Sequence, residues 1–474
     1  MQRHWREIIG GGLLALATLT GATSQADDWS RFRGPNGTGV SLDSKPLPSE
    51  WSDDKNLAWK TPLPGPGLSS PILVGDHVFV TCWSGYGLSR EDVGNINDLQ
   101  RHLVCVDRKS GSIRWNKSIP AVQPEEEYRG MFAENGYASH TPVSDGKRVF
   151  AFLGKSGIYA FDMEGKELWH KSVGTGDDRR GWGTASSPIL YKELVIVPAF
   201  IESHSLIAFD QATGEEKWRQ EAEGFDSTWG TPVLVDLPDG RTDLVIGVPY
   251  EIWGINPANG KLRWYSDSVD SDSICSSVLP HGQVVYMVEG RNGGAVAVRC
   301  GGSGSVTDKD VVWSTRDRGR ISTPLWYNEK LIWVTDGRLS MADAATGDVV
   351  EQLRLERSTQ AVPGGRSPQG PLPGERSEAG PSAGGSGGRG GFSRGGFGGR
   401  MGGQDYSSPI IADGKLIYIT RAGDGIVVKL GDEPEQLATN RFASDHSEFS
   451  ATPAVSDGQL FIRSNKFLYC VAAE

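Results

Sequence analysis

Cysteine is scarce in this chain. Its 474 residues include five, Cys82, Cys105, Cys275, Cys300 and Cys470, with no CxxC or CxxCH spacing and no adjacent pair. Zinc clusters and c-type haem attachment therefore have no basis in the sequence. The spacing leaves disulfides and buried free thiols in strands both open. Basic charge is also in deficit: 48 Lys and Arg against 59 Asp and Glu give a net charge of -11, which argues against a nucleic-acid partner.

Long apolar runs are equally rare. The one conspicuous run, "IIGGGLLALATLTGA" from Ile8 to Ala22, has about 15 residues against the roughly 20 that span a bilayer. It follows Arg3 and Arg6 and precedes the small residues Ser24 and Ala26. That order describes a secretory signal over residues 1–26, cleaved before Asp27, rather than a membrane anchor. No cysteine follows the cleavage point, so a lipoprotein is not expected. The expectation is an exported protein, periplasmic or extracellular, with no integral membrane segment after cleavage.

What the chain has in quantity is glycine, 63 residues, and tryptophan, 15, and both are periodic. "CVDRKSGSIRW" (105–115), "AFDMEGKELW" (160–169), "AFDQATGEEKW" (208–218) and "GINPANGKLRW" (254–264) share one pattern. A strand ends in Asp or Asn, a tight turn contains Gly, and a second strand ends in Trp. Weaker copies lie at 297–313, ending in Trp313, and at 341–353, where Glu351 takes the Trp position. Before each copy runs a second hairpin introduced by Ser or Thr, usually with Pro, as in "SSPILVGDHVFVTC" (69–82) and "SSPIIADGKLIYIT" (407–420). Eight such hairpins can be counted. A unit of two hairpins every 40 to 50 residues or so is a four-stranded antiparallel propeller blade.

The eighth unit ends at "KFLYCVAAE", one strand short, whereas "NLAWKTPL" (56–63) is a Trp-bearing strand without its three predecessors. The chain is thus predicted to be all-β: an eight-bladed propeller over 56–474, after a lead-in at 27–55, closed by strand 56–63 completing the last blade. Closure removes an exposed edge. Trp59, Trp115, Trp169, Trp218, Trp264 and Trp313 are expected to dock blade on blade, each indole N–H finding a backbone acceptor. The segment 357–404, rich in Gly, Ser, Pro and Arg, is predicted to be a disordered insert between blades six and seven.

This grammar resembles the pyrroloquinoline-quinone (PQQ) repeat over about residues 56–474. It is similar to the eight-bladed quinoprotein alcohol dehydrogenases and to the propeller lipoprotein of the outer-membrane barrel-assembly machine. "WSRFRGPNGTGVS" (29–41) looks like the lead-in of secreted planctomycete-type members. The resemblance implies two functions. One is a non-catalytic binding or scaffolding propeller with a protein or glycan partner in the cell envelope, no cofactor and a monomeric state. The other is a PQQ- and Ca²⁺-dependent alcohol or sugar dehydrogenase. The dehydrogenases carry a vicinal cysteine pair that this chain lacks, so the binding reading is preferred.

Loops sort by face. Turns within the hairpins are short, while the remaining connections, such as 84–101, 120–137 and 174–184, carry the irregular residues. That face is the expected binding surface. Residues just before the inner strands should ring its channel mouth: Tyr137, His140, Trp182, Trp229, Arg320, Tyr406 and Phe449. Asp226 and Glu448 stand nearby as candidate cation ligands.

Overall fold

A computed structural model describes residues 28–473 apart from 44, 291, 292, 318 and 359–403. The expected signal peptide, and all but the flanks of the expected insert, lie outside the described residues.

The strands form eight sheets, each containing a four-stranded antiparallel meander. Blade one runs Ile72–Val74, His77–Ser84, Gln100–Asp107 and Ile113–Pro120 from axis to rim. Blade eight contains Ala454–Ser456, Gln459–Arg463 and Phe467–Ala472 and takes its outer strand, Leu57–Pro62, from the start of the propeller. That strand pairs antiparallel with Trp59 opposite Cys470 and Pro62 opposite Phe467. The orphan strand and the truncated blade are therefore halves of one sheet.

Tryptophan and glycine meet between blades. The indole N–H groups of Trp59, Trp115, Trp169, Trp218 and Trp313 donate to the carbonyl oxygens of Arg108, Met163, Gln211, Pro257 and Ala344, at 2.9–3.1 Å. Each acceptor belongs to the hairpin turn of the following blade. The turn glycine lies against the same indole: a Cβ on Gly214 would come within 2.6 Å of Trp169, and one on Gly260 within 2.5 Å of Trp218. Both glycines also have positive φ, +69° and +74°, so the turn and the contact each call for glycine. Trp264 departs from this rule, donating to Asp243 Oδ2 of its own blade at 2.7 Å. The following blade has no Asp–Gly turn to offer. Its longer connection places Gly304–Ser305 parallel to the Trp264 strand as a fifth strand of that sheet.

Around the axis, in seven of the eight steps, the amide of the Ser or Thr that leads an inner strand donates to the hydroxyl of its counterpart one blade on. The steps run Ser70 to Thr141, Ser187, Thr231, Ser277, Thr323, Ser408 and Thr452, at 2.9–3.0 Å each. These residues are buried. The repeated Ser/Thr lead is thus an inner girdle of hydrogen bonds that complements the outer clasps of tryptophan.

The lead-in is built into the ring. Trp29 bridges to Leu73 of blade one and Val40 to Ile411 of blade seven. Between them, Arg31 donates to the Pro232 carbonyl oxygen at 3.0 Å. Arg33 donates to those of Pro324 (2.7 Å) and Pro409 (3.0 Å), and to Gly37 and Thr38 within the segment. Burial lowers both guanidinium pKa values, to about 10 for Arg31 and about 9 for Arg33. Carbonyl dipoles, not carboxylates, compensate these two charges.

Candidate functional site

The girdle, the long loops and the lead-in enclose an axial cavity of ≈ 140 Å³. Its wall is the eight girdle hydroxyls, and Phe32 of the lead-in contributes to it from the short-turn side. On the long-loop side it is lined by Met131, Asn135, Trp182, Trp229, Arg320 and Tyr406, with Cys275 and Ile321 beside them.

Local structure positions these groups. The carboxylate of Asp178 accepts the backbone amides of Arg180 (3.0 Å) and Trp182 (2.5 Å), folding loop 174–184 so that Trp182 reaches the axis. Trp182 lies 4.9 Å from Trp229, ring to ring, and the Trp229 N–H donates to the Gly183 carbonyl oxygen at 2.7 Å. Arg320 places its guanidinium 5.6 Å from the Trp182 ring, a cation–π arrangement. Arg421 stacks similarly on Tyr406 at 5.4 Å. Burial pushes the Tyr406 hydroxyl up to about 12. The Cys275 thiol, in hydrogen-bonding reach of Arg320, is also pushed up to about 12, by burial and then by Glu289.

Four of the seven residues expected at the channel mouth therefore line the cavity: Trp182, Trp229, Arg320 and Tyr406. The other three do not. Tyr137 is packed among Trp83, Tyr86 and Phe132, its hydroxyl donating to the Glu126 carbonyl oxygen at 2.5 Å. His140 lies behind the girdle on Phe152, and its Nδ1–H donates to the Ser186 carbonyl oxygen at 2.7 Å. Burial lowers its pKa to about 3, so the ring is neutral at physiological pH. Phe449 belongs to the core shared by blades seven and eight. The alternation that points a side chain inward at these positions buries it one layer behind the wall.

The two candidate cation ligands are not brought together. Glu448 accepts both of its bonds from Arg421, at 2.8 and 2.9 Å. Asp226 lies near Asp178, whose carboxyl is held above its usual range chiefly by burial. Among the described residues no group of three or more His, Cys, Asp or Glu side chains could hold a metal ion. All five cysteines are free thiols. No helix among the described residues is long and apolar enough to cross a membrane.

Sequence alone does not mark Phe32, Asn135 or the girdle hydroxyls as site residues. The Ser/Thr leads were visible, but their convergence is a property of the closed ring. Phe32 reaches the cavity through a segment with no strand-like alternation.

Fold and cavity define a class: an eight-bladed propeller whose axis is open to the long-loop face and filled by its own N-terminal segment from the other. The chain belongs to the PQQ-repeat family described as outer membrane protein assembly factor BamB, whose model matches residues 84–201 and 202–371. No curated protein matches it in sequence. Among solved structures, a europium-containing methanol dehydrogenase is similar at 13% identity and TM-score 0.57, over 93% of this chain and 90% of that one. The computationally designed Ika8 protein is similar at 9% identity and TM-score 0.52, over 87% and 98%. BamB from Moraxella catarrhalis matches at 17% identity and TM-score 0.41, over 66% and 92%. At these identities the likeness is one of fold, and the fold hosts both assembly factors and dehydrogenases.

Proposed function

We propose that the chain is an exported, monomeric, non-catalytic propeller of the cell envelope that binds a protein or glycan partner on its long-loop face, at the axial cavity. The observation that carries this reading is the cavity lining. Among the described residues it offers indoles, hydroxyls, an amide, a thiol and one guanidinium, but no carboxylate and no histidine. Such a set can stack on and hydrogen-bond a ligand, but it has no general base or acid of ordinary carboxylate or imidazole strength. Membership of a family described by an assembly factor is consistent with binding as the function.

The likeness to a methanol dehydrogenase raises PQQ with Ca²⁺ as the second reading. Calcium takes six to eight oxygen ligands, carboxylates prominent among them. Among the described residues that line this cavity Asn135 is the sole side-chain amide, and Cys275 stands without a neighbouring cysteine. The donor set does not fit a calcium-bound quinone, and no chemical step is derived through it.

Two measurements test the proposal. Purified protein mixed with PQQ and Ca²⁺ should not reduce a redox dye with alcohols or sugars. Tagged protein should capture an envelope component that the Trp182→Ala/Trp229→Ala variant, folded by circular dichroism, loses. Dye reduction, or capture indifferent to both tryptophans, would overturn the reading.

A further inference from the structure

The inner girdle uses seven of its hydroxyls in one direction only. The Oγ atoms of Thr141, Ser187, Thr231, Ser277, Thr323, Ser408 and Thr452 each accept an amide N–H from the preceding blade. A hydroxyl that accepts still has its proton to give. Among the described residues, none of these seven side chains, nor Ser70, donates that proton to a protein acceptor. All eight residues are at most 5% exposed and all line the cavity. The wall therefore presents a ring of buried O–H donors without acceptors.

Charge points the same way. Arg320 lines the cavity and has no carboxylate in ion-pairing distance among the described residues, whereas neighbouring Arg180 pairs with Asp272 (3.2 Å) and Arg421 with Glu448. Among the described residues no carboxylate lines the cavity. Glu289 lies close enough to influence Cys275, but its oxygens accept the amides of Cys275, Ser276 and Gly290. Asp405, in the smaller cleft that Arg320 also borders, is bound to Arg357 at 2.7 Å and Tyr418 at 2.8 Å. A donor ring with one unpaired guanidinium above it suits an oxyanion. One guanidinium matches a single negative charge better than a phosphate, which carries close to two.

We propose that the axial cavity is a carboxylate receptor, in which Arg320 and the girdle hydroxyls hold the carboxylate of a peptide partner, presented by an acidic side chain or by a chain terminus. This rests on the cavity being the binding site. Trp182 and Trp229 then cover the groups flanking the carboxylate, and Phe32 limits how deep it reaches.

Cys275 supplies a built-in reporter, because it lines the cavity beside Arg320 while the other four thiols are buried in the blades. Alkylation of Cys275 by iodoacetate and by the neutral iodoacetamide, followed by mass spectrometry at pH 8.5, compares an anion with its near-isostere. A charge-assisted hydrogen bond of about 1.5 kcal/mol or more should raise the iodoacetate-to-iodoacetamide rate ratio on the order of tenfold above that of glutathione. Arg320→Gln should return the ratio to the glutathione value, and Arg320→Lys should retain part of the gain. In parallel, N-acetylglycine and propionate, mimics of a chain terminus and an acidic side chain, should raise Tm saturably at fixed ionic strength, unlike N-acetylglycinamide and propionamide. The stronger acid identifies the source. If Cys275 reacts with neither reagent, the Tm comparison decides. Acid and amide acting equally would overturn the carboxylate receptor yet keep the cavity as a binding site. A preference surviving in Arg320→Gln, or no response to any compound, would also overturn it, and envelope capture would then judge the binding reading separately.

Discussion

At the scale of single residues, the blade interface rests on a pairing of tryptophan with glycine that local sequence half reveals. The Trp spacing and the Asp–Gly turn are both visible, and periodicity alone puts Trp59, Trp115, Trp169, Trp218, Trp264 and Trp313 on outer strands. That one blade's glycine touches the previous blade's tryptophan is invisible until the ring is built. The exception at Trp264 follows from the lengthened turn of the next blade. Gly214 and Gly414 separate the two demands on turn glycines. Both have positive φ, +69° and +66°, but a Cβ at Gly214 meets Trp169 at 2.6 Å while one at Gly414 meets nothing within 4 Å. Gly414→Ala should cost about 1–2 kcal/mol, the backbone penalty alone. Gly214→Ala should cost roughly 1–3 kcal/mol more for forcing the indole aside. Equal losses in urea titrations would mean that the indole is not held by the turn.

Among the elements, the closing strand was legible and the lead-in was not. "NLAWKTPL" alternates, carries the Trp and completes a count that is otherwise one short. The stretch 28–41 has neither alternation nor repeat, and its partners lie up to 376 positions away, so no window of sequence contains the reason for its conformation. The reason is Arg33, fully buried and bound to four carbonyl oxygens, two of them on blades six and seven. Arg33→Ala leaves those acceptors buried without donors, and each such loss costs about 1–3 kcal/mol. The expected loss is on the order of 3–5 kcal/mol in denaturant titrations, with Arg33→Lys intermediate because one ammonium cannot reach all four. Lys45→Ala, which breaks an exposed pair between the same lead-in and Asp457 of blade eight, should change stability by less than about 1 kcal/mol. A near-neutral Arg33→Ala would demote the segment to a loosely attached leader.

For the molecule as a whole, blade number and closure could be read from sequence because each blade repeats one grammar. The cavity could be read only in part, since its wall is made of one residue from every blade. Closure should also make the ring independent of the covalent link between blades six and seven. The flanks of 359–403 are tied together without it: Arg357 pairs with Asp405 at 2.7 Å, Ser358 donates its amide to Asp424 Oδ2 at 3.2 Å, and Arg441 reaches both Ser358 (2.7 Å) and Asp424 (3.0 Å). Blade eight draws its outer strand from the front of the chain and its other three from the end. Val40 bridges to Ile411, and the Trp59 clasp and Arg463, which donates to the Ser69 carbonyl oxygen at 2.9 Å, fasten blade eight to blade one. Cutting at a protease site engineered between residues 359 and 403 should therefore yield two pieces, 28–358 and 404–473 at their cores, that remain one particle. They should co-elute in gel filtration, separate only under denaturant, and melt below the intact chain by an amount that shrinks as protein concentration rises, because cutting makes unfolding a dissociation. Replacing the same segment by a short Gly-Ser linker should leave Tm nearly unchanged, because changing the length of a long loop costs little: about 0.6 kcal/mol for each doubling. Pieces that drift apart on the column would show that the shared sheet and the threaded lead-in are too weak to hold the ring, and that the peptide link between blades six and seven is what closes it.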